Sequence, residues 1–228
     1  QSKGVTPSVH CATLEMYEII SGWYGKNFSY TLDPGDFDYI YTVEKLTGLH
    51  GKKLHGKRNH INSFLRNYPD YEYYTITDEH IDACLAVARP MLPPQDYDLA
   101  AEVEKHDVLQ PDLAEEHAYE YNIIRKALAN RKKLQMTGGI IYVNHIPSAF
   151  TLGEPLTADT FDVHFEKADD SIDGIYPMIN QSFVTHELQA YTYVNREEDL
   201  GLPGLRKSKI SYVPDILYKK GIIQLAEI

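Results

Sequence analysis

Three short apolar segments between residues 138 and 165 constrain the fold of this chain most strongly. Segments 140–143 and 146–152 are separated only by Asn144 and His145, and this two-residue spacing predicts a β-hairpin. In segment 160–165 apolar residues alternate with polar ones, which predicts a third strand. Consecutive strands with short connections run antiparallel. The sequence therefore predicts an α+β fold with a mixed, mainly antiparallel sheet flanked by helices.

The rest of the chain supplies further elements that fit this class. Apolar residues at helical spacing, together with capping residues, predict helices at 12–21, 78–87, 115–129, 174–187 and 205–208, and one whose apolar face is Ile61, Phe64 and Leu65. Alternation predicts strands at 28–32, 37–41, 71–75, 191–194, 212–218 and 222–225. Prolines at 90, 93, 94 and 111 predict an irregular excursion over 93–111.

Composition excludes several classes of protein. The 228 residues are 43% hydrophobic and 24% charged, as in globular proteins, and no apolar run is long enough for membrane insertion. A net charge of −11 argues against an extensive nucleic-acid surface. The two cysteines, Cys11 and Cys84, have no metal-ligand spacing and form no disulfide framework, which favours a cytoplasmic protein.

The densest positive charge lies in residues 51–60, before or at a predicted helix start. Free backbone N–H groups and the side chains of Lys57 and Arg58 would together favour a phosphate or carboxylate there. The alternative is a solvated basic face, which is the usual role of a charge run. The segment is not a P-loop, because Arg58 follows Lys57 where that motif requires Ser or Thr.

Two further segments carry residues suited to chemistry. His164 and Glu166 lie two positions apart on a predicted strand, so their side chains are expected to face the same way. This spacing matches the H-x-E of zinc deaminases, but the P-C-x-x-C half of that signature is absent and no metal site is predicted. Residues 195–209 combine many charges with glycines, which suits either a polar site or a solvated loop with local ion pairs.

Taken together, an ordered set of motifs resembles one bacterial family, the proteins related to the C-terminal domain of phosphatidylglycerol lysyltransferase. The motifs lie at 51–53, 57–62, 164–168, 179–181, 195–201 and 209–212, and the resemblance extends from about residue 37 to 218. It implies a fold like that of GCN5-related N-acetyltransferases, commonly in tandem, with the Fem aminoacyltransferases as relatives. It also implies that residues 1–40 are the C-terminal remnant of a first such domain and that 41–228 form the second.

The same resemblance implies an acyl- or aminoacyltransferase with acyl-CoA or aminoacyl-tRNA as donor and an unidentified acceptor. Lys209 would stabilise the acyl carbonyl or oxyanion, and His164 or Glu166 would act as the base. The remaining candidates would bind substrate or phosphate: Lys57, Arg58, Asn59, Lys167, Asn180, Asn195, Arg196, Asp199, Arg206 and Lys207. The loop at 167–174, with three aspartates and one glycine, departs from the acetyltransferase pattern for binding a pyrophosphate. A non-catalytic ligand-binding protein of the same fold is the alternative.

Overall fold

A computed structural model describes residues 7–25, 27–89 and 113–225. The chain forms two compact units, Gln1–Thr42 with Asn195–Ile228, and Val43–Val194. We call these the flanking unit and the central unit. The C-terminal residues thus belong to the same unit as the N-terminal residues, whereas a single boundary near residue 40 would place them in different domains. The assignment of residues 1–40 to the end of an earlier domain stays a prediction.

Seven α-helices and ten strands lie within the described ranges. The strands are β1 Ser8–Ala12, β2 Phe28–Leu32, β3 Asp38–Thr42, β4 Glu72–Thr75, β5 Thr137–Val143, β6 Ile146–Pro155, β7 Thr160–Ala168, β8 Tyr193–Asn195, β9 Ile216–Tyr218 and β10 Gly221–Leu225. The helices are α1 Leu14–Tyr24, α2 Val43–Gly48, α3 His55–Asn67, α4 Ile81–Ala88, α5 Leu113–Asn130, α6 Ile175–Glu187 and α7 Pro203–Ile210. Short 3₁₀ turns occupy Pro34–Asp36, Lys52–Leu54 and Asp78–His80.

The central unit contains the hairpin that the sequence predicts. Strands β4, β5, β6 and β7 are neighbours in this order, and each adjacent pair is antiparallel. Asn144 and His145 both have positive φ, 51° and 65°, as a type I′ turn requires. On β5 the adjacent residues Ile140 and Ile141 are both fully buried. Because successive strand residues face opposite sides, both faces of this sheet are covered.

Helices cover the sheet of the central unit with apolar side chains. Helices α4 and α5 supply Cys84, Ile124 and Leu128 to a cluster with Phe150 and other residues of β5 and β6. Helix α6 buries residues including Phe183, whose ring lies edge-to-face with Phe161 of β7, with 5.7 Å between centroids. The α+β class predicted from the sequence is confirmed.

A β-bulge interrupts the pairing of β6 with β7. Leu152 lies opposite Phe165, whereas the next residue, Gly153, lies opposite Val163. His164 is therefore an extra residue on β7, which locally bends and twists the strand. Gly153 is required here because a Cβ at this position would lie 2.0 Å from the carbonyl oxygen of Asp162.

The flanking unit is assembled from both ends of the chain. Strand β10 lies between β1 and β2 and is antiparallel to both, and β3 pairs with β9 in the same sense. Helix α1 begins after Thr13, whose side chain accepts a hydrogen bond from the Met16 N–H. No helix among the described residues is long and apolar enough to cross a membrane.

Some local predictions differ from the structure. Residues 212–218 are extended only over Ile216–Tyr218, because Tyr212 is buried in a turn and Val213 has a φ of 55°. Thr77, rather than Asp78, forms the capping box that begins the turn before α4. Leu65 is 38% exposed and lies off the buried face of α3. The predicted excursion at 93–111 lies outside the described residues.

Candidate functional site

His164 lies at the β7 bulge, where the regular alternation of the strand is broken. Its Nε2 is 3.4 Å from Oε1 of Glu154 on β6, and its side chain is 24% exposed. An imidazole that is partly shielded, oriented by a carboxylate and still open to solvent can exchange protons with a ligand. The sequence identified His164 but not Glu154, because the pairing of β6 with β7 brings the two residues together.

Glu166, two residues further along β7, contacts the first helix that follows. Oε2 of Glu166 accepts a hydrogen bond from Nδ2 of Asn180 at 3.3 Å, and Asn180 is buried in α6. Lys167, the next residue, instead forms an ion pair of 2.6 Å with Glu120 of α5. The charge of Lys167 is therefore balanced by a carboxylate, which weakens its predicted role in binding phosphate.

The basic segment, residues 51–60, includes the start of α3, and one of its side chains binds the backbone of the turn that precedes this helix. The Arg58 guanidinium donates hydrogen bonds to the carbonyl oxygens of Leu49 and of Gly51, the latter at 2.9 Å. Leu49 and Gly51 both have positive φ, so Arg58 stabilises a sharp turn. Asn59 donates to Nδ1 of His55 at 3.2 Å. Lys57 is half-buried in the first turn of α3.

In the flanking unit, Asp199 is fully buried and is the centre of a hydrogen-bond network. Arg206 of α7 donates to both carboxylate oxygens at 2.7 and 2.9 Å, and the Tyr39 hydroxyl donates at 2.6 Å. The Gly201 N–H donates at 2.9 Å. The Arg206 hydrogen bond is the main reason why the pKa of Asp199 falls to about 2. The carboxylate holds the loop before α7 against β3.

Lys209 is buried at the end of α7, and its side chain binds the backbone of the same loop. Its ammonium donates to the carbonyl oxygens of Arg196, Glu197 and Glu198, with distances of 2.6 Å to Arg196 and 3.1 Å to Glu197. Burial, followed by the charge of Arg196, lowers the pKa of Lys209 to about 8. Three carbonyls use all three protons that a lysine ammonium can donate. The predicted contact with an acyl oxygen would replace one of these bonds.

A second network ties the start of this loop to β3 and to the C-terminal strands. Asn195 donates to Asp38 at 3.2 Å and accepts from the Glu197 N–H at 2.9 Å. Lys220 lies 2.6 Å from Asp38 and 3.1 Å from Glu198. Sequence reasoning missed Asp38 and Lys220, since no local pattern relates residues that lie far apart in the chain.

Two more predicted residues lie on or before α7. The Arg196 guanidinium lies over the Tyr212 ring, 4.9 Å from its centroid, as in a cation–π contact. Lys207 is exposed on α7. The structure thus brings Asn195, Arg196, Asp199, Arg206 and Lys209 together in the flanking unit. His164, Glu166, Lys167 and Asn180 lie on β7 and α6 of the central unit, and Lys57, Arg58 and Asn59 lie on α3 of the same unit.

These features define a two-unit α+β protein with charged clusters at the ends of its strands. The chain belongs to the family described as phosphatidylglycerol lysyltransferase, C-terminal, whose profile matches residues 4–222. The predicted family is thereby confirmed.

Relatives in solved structures agree with this assignment. A conserved protein of unknown function from Bacteroides thetaiotaomicron is 39% identical, with a TM-score of 0.80, over 96% of this chain and 70% of that one. A DUF2156 domain from Agrobacterium fabrum, named as the C-terminal domain of a protein related to lysylphosphatidylglycerol synthetase, has a TM-score of 0.63 at 11% identity. That match covers 98% of this chain and 69% of the other, and at this identity it shows the fold alone.

One curated relative is longer than this chain. An uncharacterized protein of Mycoplasmoides gallisepticum is 24% identical over 194 residues, which are 82% of this chain and 56% of the relative. The chain therefore spans about half the length of that protein.

Proposed function

We propose that this protein is an acyl- or aminoacyltransferase that moves an acyl or aminoacyl group from a donor to an amine or hydroxyl of an acceptor. The observation that carries the proposal is the match of residues 4–222 to a family described by a lysyltransferase. The fold supports it less directly, since one fold hosts many functions. The chemistry is therefore argued from the β7 residues.

In this proposal His164 is the general base. It takes the proton of the acceptor as the acceptor attacks the acyl carbonyl. It then gives this proton to the leaving oxygen or sulfur of the donor as the bond from that atom to the acyl carbon breaks. Glu154, 3.4 Å from Nε2, orients the ring and stabilises its protonated form. Glu166 and Asn180 form a hydrogen-bonded pair that fixes the end of β7 beside α6.

For the donor, the loop after β7 favours an aminoacyl ester over an acyl-CoA. Asp169 in this loop accepts hydrogen bonds from the N–H and hydroxyl of Ser171, at 2.9 and 2.6 Å. These two bonds lower the pKa of Asp169, so the carboxylate stays ionised. A fixed negative charge opposes a pyrophosphate at this position, where the acetyltransferase pattern places glycines.

Lys209 has a positioning role in this proposal. Its bonds to three carbonyls hold the loop that carries Arg196 and Asp199. Arg206 is bound bidentately to Asp199, which leaves the exposed Lys207 as the more accessible candidate for a donor phosphate in the flanking unit.

The test combines ligand screening with one substitution. Thermal-shift measurements compare acetyl-CoA, longer acyl-CoAs and aminoacyl-adenosine analogues, because a ligand that binds only the folded protein raises its stability. We expect a shift with the adenosine analogues. In a transfer assay with the donor so identified, His164→Gln should lower kcat about 100-fold or more, as loss of a general base does.

The matched control is His186→Gln, which changes an exposed histidine of the same unit, on α6, and should leave turnover unchanged. A shift with CoA compounds alone would instead identify an acyl-CoA donor. Full activity of His164→Gln would contradict the role of His164 as the base.

A non-catalytic ligand-binding protein of the same fold is the second candidate. The observation that favours it is the charged loop at 195–209, whose Asp199 and Lys209 are engaged in contacts within the flanking unit. Ligand-induced shifts without turnover by any tested donor would support this candidate.

A further inference from the structure

A cleft of about 580 Å³ opens in the central unit at the end of β7. Apolar residues form part of its lining, among them Val87 of α4, Pro147 of β6 and Ala168 of β7. The volume lies within the range of about 300–1,000 Å³ that is typical of small-molecule sites. The cleft thus has space for a compact ligand with an aliphatic stem.

The lining of the cleft also carries more negative than positive charge. It includes Glu120, Asp169 and Asp170 together with Lys167 and His117. Lys167 and Glu120 neutralise each other in their 2.6 Å ion pair. With His117 counted as neutral, the two aspartates leave the lining with an excess of two negative charges.

Tyr176, in the first turn of α6, contributes an aromatic ring and a hydroxyl group to the lining of this cleft. Burial, and then the nearby charge of Asp170, raises the pKa of Tyr176 to about 12. The hydroxyl therefore remains protonated near neutral pH. An aromatic ring can also stabilise an organic cation that lies over its face.

We propose that this cleft binds an aliphatic amine whose ammonium groups face Asp169 and Asp170 and whose stem contacts the apolar residues of the lining. Anions such as phosphates are disfavoured there, because two unneutralised carboxylates repel them and the one lysine is already paired. Binding of the amine does not depend on the proposed transferase activity.

The binding test uses three probes with the same five-carbon stem and different charges: cadaverine, 1,5-pentanediol and glutarate. Binding to the full chain is measured by NMR titration at pH 7 and low salt. We expect saturable binding of cadaverine alone, with amide shifts at Asp170 and Tyr176. Asp170→Asn should weaken it up to about fivefold, as for loss of one partly exposed charge pair.

Glu79→Gln is the matched control, because it removes the same charge from an exposed residue of the same unit that does not line the cleft. It should leave cadaverine affinity unchanged. Equal weakening by both variants would show that cadaverine responds to the net charge of −11 rather than to this cleft, and it would overturn the site. Binding of glutarate, or no saturable binding of cadaverine at millimolar concentration, would also overturn it. Neither result bears on transferase activity, which the His164 experiment tests separately.

Discussion

At the scale of single residues, the buried charges of the flanking unit serve mainly to hold its backbone. Lys209 binds three consecutive carbonyls, and Asp199 binds two side chains and a backbone N–H. Buried polar groups of this kind are costly when they lose their partners. Substitutions at these positions should therefore affect stability before they affect ligand affinity.

Replacing Lys209 by methionine should lower the free energy of unfolding by about 2–3 kcal/mol. The substitution keeps most of the length and volume of the side chain but leaves part-buried carbonyls without their donor. Urea unfolding measures the change. Lys207→Met, on the exposed side of the same helix, should change stability by no more than about 0.5 kcal/mol. Equal losses in both variants would contradict the structural role of Lys209.

The contribution of Asp199 to the free energy of unfolding should decrease at acid pH. Its pKa is about 2 in the folded protein, against an ordinary value of 3.8. The ionised carboxylate therefore stabilises the fold above about pH 4, and this contribution is lost as the pH falls through about 2. We expect it to amount to about 1–2 kcal/mol.

Chemical unfolding at a series of pH values between 5 and 2 measures this contribution. In Asp199→Asn the decline of stability over this interval should be shallower than in the wild type. An identical decline in the two proteins would show that Asp199 does not have the depressed pKa.

At the scale of elements, the connections between helices and strands depend on a few glycines. Gly174 precedes α6 with a φ of 81°, in the left-handed region that glycine tolerates. A Cβ there would lie 2.4 Å from the carbonyl oxygen of His60 in α3. Gly153 has the same role beside the β7 bulge. Both glycines allow close backbone approach.

Gly174→Ala should destabilise the protein by about 2–3 kcal/mol, because it combines backbone strain with a steric overlap against α3. Thermal or urea unfolding checks this. Gly56→Ala is the control with opposite sign: it lies near the start of α3, has a negative φ and meets nothing within 4 Å of its Cβ. It should raise stability by about 0.5 kcal/mol, since alanine favours the helix. A gain in both variants would contradict the strain at Gly174.

At the scale of the whole molecule, the two units differ in how the chain forms them. The central unit is one continuous segment, whereas the flanking unit joins residues 1–42 with 195–228. Its three-stranded sheet has β10, from the end of the chain, between β1 and β2. The fold of the N-terminal strands therefore depends on the C-terminal residues.

Ending the chain after Tyr218 should remove the hydrogen-bond partner of both β1 and β2. Hydrogen exchange of these two strands should become faster, because an isolated strand keeps little protection. Mass spectrometry of peptides from β1 and β2 measures the change, with peptides from β5 and β6 as the internal reference. Unchanged protection of β1 and β2 would contradict the pairing with β10.

The type and approximate place of most described elements could be predicted from local patterns. Helical spacing located α3 and α6, two apolar segments with a two-residue connection located β5 and β6, and alternation located β7. The turn at Asn144 and His145 was predicted from its length alone. The strand predicted at 212–218 was too long, because a buried Tyr212 next to a left-handed Val213 has the same local pattern as an extended segment.

The sequence by itself determined the α+β class, the hairpin in the central unit and the family, since these depend on residues close together in the chain and on short motifs. The tertiary structure decided which charges meet. Tyr39 and Asp199 are 160 positions apart, and nothing local relates them. The same holds for His164 with Glu154, whose contact depends on the pairing of two strands. Periodicity records which face of an element is buried, but only the folded chain selects the partner of each buried polar group.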